Sequence, residues 1–202
     1  MSAPVLVCFA VTQEARPFEK LIRGRDGVRA LITGMGARNA ERALRETLKT
    51  FQPAHIWTCG FAGALNPDLK VGDVICSHAS PVAGARPVVL HCSDRVAVTA
   101  VEKSNLRNTT GADAVEMESA VIVRVCGEAG LPCITLRAIS DAANEDLPLD
   151  FNRLLTPEQR LSQTRLALAV LKAPQRIPAL LRLGRNSALA ARRMAEVLAD
   201  AI

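Results

Sequence analysis

Side chains able to move protons gather at the ends of apolar runs in this 202-residue sequence. Glu14 follows the run Val5–Ala10, Glu116 and Glu118 open the segment Ala114–Cys126, and Arg137, Ser140 and Asp141 come at the carboxyl end of the run that starts at Cys133. Carboxyl groups collected in one crevice do general acid–base chemistry and stabilise developing positive charge. In open α/β sheets the ligand crevice lies outside the carboxyl ends of the strands. The placement therefore points to an enzyme. A solvated surface acid is the bland alternative for Glu14. His55, His78 and His91 lack metal-ligand spacing and the six cysteines contain no CxxC pair, so buried reduced thiols and no metal site are expected.

The elements that must position these groups can be read from apolar pattern and punctuation. Val5–Ala10 is a continuous apolar run, the pattern of a strand buried on both faces. Thr12 is the expected N-cap of a helix over 13–22, with Pro17 making its start late or irregular. Val28–Thr33 reads as a second strand, and Gly34-Met35-Gly36 turns it into a helix over 37–48. Such a turn brings backbone N–H groups toward an anion or a sugar, but it is not a GxGxxG, which disfavours a dinucleotide site. Ala54–Thr58 reads as a third strand and Cys59–Leu65 as a second small-residue turn. Short strands at 74–76 and 87–91, a connector at 81–87 and a helix over 101–107 ended by 108–111 follow. A helix is expected to begin at the Glu116/Glu118 pair, and Cys133–Leu136 is the next strand. After a loop over 144–152, three helical pieces are punctuated by Pro174, Pro178 and Gly184.

Alternating strands and helices with polar groups at strand ends predict one α/β domain over 1–202, with a central mixed, twisted sheet flanked by helices and able to bend toward a barrel. The chain is 49% hydrophobic and 22% charged, an ordinary soluble composition. It has no apolar run of the ~20 residues that cross a bilayer, and no basic leader precedes the first strand. The net charge of +5 is uneven, because residues 160–202 hold eight Lys/Arg and two Asp/Glu. A basic tail on a near-neutral body argues against an extended nucleic-acid footprint and leaves room for an anionic partner or membrane surface. In that tail Ile177, Leu180, Leu181 and Leu183 offer an apolar face beside Arg176, Arg182 and Arg185, with helices packed on the sheet as the alternative.

Ala10–Glu14, Gly34–Gly36, Gly60–Gly63 followed by Leu69–Val74, Val115–Glu118 and Arg137–Asp141 stand in an order and spacing found in one superfamily. Over most of residues 4–152 the chain resembles the purine nucleoside phosphorylases and methylthioadenosine/S-adenosylhomocysteine nucleosidases. The resemblance implies a phosphorylase-type three-layer fold and N-glycoside cleavage of a purine nucleoside. It implies Asp141 as the acid at N7 of the base, Glu118 on the ribose hydroxyls, Met117 on the sugar face, and Glu14 positioning the attacking water with Arg137 and Glu118. Phe61, Ala62, Gly63, Val96, Glu116 and Ser140 are the further expected substrate-binding positions.

Phe61 and Thr58 stand where the phosphorolytic members carry a phosphate-binding serine and an arginine. With Glu14 present, this favours water as nucleophile. A phosphate-dependent phosphorylase and a non-catalytic nucleoside-binding protein remain as alternatives. Val96 stands where the hydrolytic branch stacks an aromatic on the base, and the segment between Val74 and Val115 is short. A trimmed mouth suits a bulky 5′ substituent. Residues 146–152 and the Pro174–Gly184 tail are similar to those of the hopanoid-associated subgroup, which implies an adenosyl-hopane substrate. No cofactor is expected, phosphate entering only as co-substrate of a phosphorylase. A homodimer or larger assembly in the cytoplasm, with the tail against the inner face of the membrane, completes the expectation.

Overall fold

The computed structural model describes residues 3–202. Strand β1 (Val5–Phe9) is buried at every position, as a run without polar alternation requires. Its side chains divide between two cores. Val5, Val7 and Phe9 join Phe18 of helix α1 (Thr12–Leu21) and Met194 and Leu198 of the last helix. Leu6 and Cys8 face Leu44 of α2 (Ala37–Leu48) and Ile122 and Val125 of α4 (Ser119–Glu128). A sheet with apolar residues on both faces and helices over each gives three layers.

The sheet has eight strands, adding β2 (Val28–Ile32), β3 (His55–Ala64), β4 (Val74–Ser77), β5 (Arg86–Val88), β6 (Leu90–Cys92), β7 (Ala114–Glu116) and β8 (Cys133–Asp141). The order is β2-β1-β3-β8-β4-β5, with β7 on β3 and β6 on β7. It is mixed, because β4 runs antiparallel to β8 and β7 antiparallel to β3 while the other pairs are parallel. Helix α3 (Ala100–Thr110) precedes β7, and α5 (Phe151–Leu154), α6 (Gln163–Lys172) and α7 (Ile177–Ala201) follow β8.

Several sequence expectations are corrected. Residues 59–64 are not a turn: β3 runs unbroken to Ala64 because it changes partner along one edge, leaving β1 after Cys59 and taking up β7 at Gly63. Residues 114–116 are strand, and the helix starts only at Ser119. The 87–91 run is split into β5 and β6, which join different strands. Thr12 does not cap α1; it is the first helical residue, Val11 is the cap, and the helix runs through Pro17. Pro178 sits in the first turn of α7, where its missing N–H is harmless, and Gly184 lies inside the helix, so neither breaks it. Only the second half of α7 is buried, at Ala190, Ala191, Met194, Ala195, Leu198 and Ala199. The apolar face expected in its first half divides: Ile177 and Leu181 are exposed while Leu180 and Leu183 turn into a groove.

Candidate active site

The change of partner along β3 builds the first part of the site. Phe61 lies in the gap between the β1 and β7 pairings, and its N–H donates to Glu14 Oε1 at 2.8 Å. Glu14 Oε2 accepts from Ala10 N–H at 2.9 Å and Val11 N–H at 3.1 Å, so the carboxylate also closes the N-terminus of α1. Burial pushes the Glu14 carboxyl up, opposed by these backbone N–H groups and by Arg137. A Cβ on Gly60 would stand 2.8 Å from Glu14 Oε1, so only glycine leaves that carboxylate its place.

A bulge builds the second part. In β8, Ile139 pairs with Ala62 and Asp141 with Gly63, leaving Ser140 as the extra residue. Successive strand side chains normally point to opposite faces. The bulge re-aims them, and the Ser140 hydroxyl donates to Asp141 Oδ1 at 2.7 Å. Asp141 Oδ2 receives the ammonium of Lys103 at 2.6 Å.

The acidic pair separates into different environments. Glu116 takes Arg137 Nη2 at 2.6 Å and Nε at 3.2 Å, Ser119 Oγ at 2.6 Å, and the N–H groups of Glu118 and Ser119. Burial works to raise its carboxyl, but the Arg137 guanidinium and the Ser119 hydrogen bonds prevail and hold it at about 2. Glu118 accepts the Gly36 N–H at 2.8 Å. The anion met by the Gly34–Gly36 turn is thus one of the protein's own. Burial, with the Glu116 and Glu14 carboxylates nearby, pushes Glu118 up to about 7 against Arg137 and that hydrogen bond.

Glu14, Glu118, Asp141, Met117, Phe61, Ala62, Gly63, Val96, Glu116 and Ser140 all line one inner cavity of about 210 Å³. Arg137 is not in its wall. It lies 1% exposed behind Glu116, with a third bond to Thr58 Oγ1 at 3.1 Å. The water site expected of Arg137 therefore lacks a direct guanidinium contact, and Glu116 is committed to Arg137 and Ser119 rather than free for substrate. The cavity opens into a groove of about 1190 Å³, walled by Pro17, Ile32, Phe151, Leu166, Leu180 and Leu183 among others. Asn152 ties its rim together, accepting from Val96 N–H at 2.9 Å and donating to Val96 O at 3.0 Å. Sequence reasoning missed Lys103, Asn152 and this groove. A lysine in a short polar helix reads as a solvated surface charge, and no spacing signal marks it otherwise.

An α/β protein whose strand-end pocket is ringed by separately tuned carboxyls defines the class: a small-molecule site with acid–base groups. The chain belongs to the phosphorylase superfamily, whose family model matches residues 5–87 and 83–172. The 5′-methylthioadenosine/S-adenosylhomocysteine nucleosidase of Marinomonas sp. is 26% identical, with 65% of this chain and 75% of that protein covered. The nucleosidase of the same name from Geobacillus kaustophilus is 29% identical, over 66% of this chain and 76% of its own length. Among solved structures, a mutant Helicobacter pylori nucleosidase with 5′-methylthioadenosine in its active site superposes with a TM-score of 0.72 at 18% identity, covering 99% of this chain and 98% of its own. The futalosine hydrolase of Helicobacter pylori gives 0.71 at 16%, over 97% and 95%. At those identities the likeness establishes the fold.

Proposed function

We propose that this protein is an N-ribosyl hydrolase that cleaves the glycosidic bond of a purine nucleoside, an adenosine with a large 5′ substituent. The observation that carries the reading is the convergence of Glu14, Glu118 and Asp141 on an inner cavity that, among the described residues, is lined by one cation, Arg95, exposed and paired with Glu102, while Arg16, Arg42 and Arg160 line the groove outside it. A phosphate dianion set among these carboxylates has no fixed fork of donors to meet it. Water does not need one. Relatives carrying the name methylthioadenosine/S-adenosylhomocysteine nucleosidase support the adenosine-type substrate.

In this reading Asp141 faces N7 of the base, Glu118 takes the ribose hydroxyls beside Met117, and Glu14 orients the attacking water. Cleavage builds oxocarbenium character on the ribose, which the carboxylates stabilise. Val96 and Phe61 contact the base or sugar by packing rather than by aromatic stacking from Val96. Arg137 holds Glu116 in place and supplies positive potential from behind the wall. The groove beside the cavity is mostly apolar, with Arg16, Arg42 and Arg160 also in its wall; it extends the substrate to a lipid-like 5′ group, which an adenosyl-hopane in hopanoid biosynthesis fits. Exposed Leu168, Leu171, Ile177 and Leu181, with Arg176 and Arg182 among them, support a tail that meets the inner face of the membrane from the cytoplasm or completes a homodimer.

Base release from adenosine, 5′-methylthioadenosine, inosine and a 5′-alkyl adenosine, each with and without phosphate, tests the reading. Release without phosphate is expected. Turnover strictly dependent on phosphate overturns the hydrolase in favour of a phosphorylase, and binding without release at any phosphate concentration leaves a nucleoside sensor.

A further inference from the structure

Lys103 stands behind the cavity wall rather than in it. It lies on α3 and is 0% exposed. Its ammonium has three N–H donors, and the structure gives each an acceptor: Asp141 Oδ2 at 2.6 Å, Ala142 O at 2.7 Å and Glu145 O at 3.0 Å. A lysine is almost never fully buried without a partner, and the one charged partner here is the carboxyl that faces the base. Tying α3 to the 142–145 segment needs only the two carbonyls. The third bond serves Asp141. Both of its oxygens are then met by donors, Oδ1 by the Ser140 hydroxyl and Oδ2 by the ammonium. A carboxyl so placed has a proton source within hydrogen-bond reach on the side away from the cavity.

We propose that Lys103 is a positioning residue that supplies, through Asp141, the proton taken up by the leaving base. The inference rests on the N-glycoside cleavage proposed above. As the bond from the anomeric carbon to the base nitrogen breaks, its electron pair goes to the base. A proton passes from Lys103 Nζ to Asp141 Oδ2 and on to N7. Asp141 begins and ends as carboxylate, and Lys103 ends as the neutral amine. Water bonds to the anomeric carbon and gives its proton to Glu14. After product departure Glu14 releases that proton to solvent and Lys103 regains one through Asp141. Nucleoside and water are consumed, and base and ribose are formed.

The test compares wild type, Lys103→Met and Lys103→Arg on two kinds of substrate. One is the purine nucleoside that the wild type turns over. The other is 4-nitrophenyl β-ribofuranoside, whose phenolate departs unprotonated. Arginine keeps the charge and carries N–H donors for the same acceptors but gives up no proton in a protein. Both variants should lose roughly 100-fold or more in kcat on the nucleoside, the scale of general-acid assistance. KM should change little, and nitrophenolate release should stay near wild type. If Lys103→Met fails to fold, Lys103→Arg carries the test alone. Wild-type nucleoside turnover by Lys103→Arg, or an equal loss on both substrates, overturns the proposal. Absence of base release by the wild type, with or without phosphate, is a failure of the underlying function and is read separately.

Discussion

Glu14, Glu116 and Glu118 are chemically alike and sit within one cavity wall, yet the fold gives them different proton affinities. Glu116 is kept ionised to about 2 against its own burial by Arg137, whereas burial carries Glu118 up to about 7. These shifts act on stability with opposite signs. The depressed Glu116 stabilises the fold above the ordinary carboxyl value of 4.5, and that contribution is lost as pH falls toward 2. The raised Glu118 contributes most below 4.5 and loses its contribution as pH rises through 7. Urea midpoints of Glu118→Gln should therefore decline less than wild type between those two pH values. Glu116→Gln leaves Arg137 buried without its counter-ion, which costs about 3–5 kcal/mol and should appear as a lower melting temperature. Asp141→Asn should lower kcat by roughly 10²–10⁴-fold; it also leaves the buried Lys103 ammonium without its charged partner, so the melting temperature should fall while circular dichroism below the melt stays native.

At the scale of elements, β3 does the positioning. Its change of partner exposes the Phe61 N–H that holds Glu14, and its register with β8 places the bulge that turns Ser140 onto Asp141. Two glycines leave space for the two carboxyls: a Cβ on Gly63 would stand 3.0 Å from Asp141 Oδ2, as one on Gly60 would crowd Glu14. Gly60→Ala should displace the Glu14 carboxylate, and a shift near 1 Å costs up to about 100-fold in rate. Steady-state kinetics beside a thermal melt checks this: kcat should fall much further than stability. The helix α3 cap is ordinary by contrast, with Thr99 and Glu102 exchanging hydrogen bonds in a capping box. That cap fixes the helix carrying Lys103.

At the scale of the molecule, α7 serves two purposes along its 25 residues. Its second half completes the core against α1 and the sheet, so removal of residues 173–202 should unfold the protein. Its first half carries Leu180 and Leu183 into the groove wall. Leu183→Arg should raise KM for a long 5′-alkyl adenosine about tenfold, an expected loss of one buried apolar contact. KM for 5′-methylthioadenosine should be unchanged, because the inner cavity ends before that wall. Parallel kinetics on the two nucleosides reads the difference.

The layered α/β plan and the carboxyl-end location of the chemistry are legible in the amino-acid pattern alone. Continuous apolar strands demand cover on both faces, and motif order alone places Glu14, Glu118, Ser140 and Asp141 at strand ends. Local pattern could not separate a turn from a strand at Cys59–Leu65, because small residues permit either and the neighbouring strands decide. Nor could it show that Arg137 stands behind the wall, that Gly36 binds Glu118 or that the Lys103 ammonium meets Asp141. Each of these contacts joins residues distant along the chain. Proton affinity in particular follows burial and neighbouring charge, and both exist only once the strands and helices have packed.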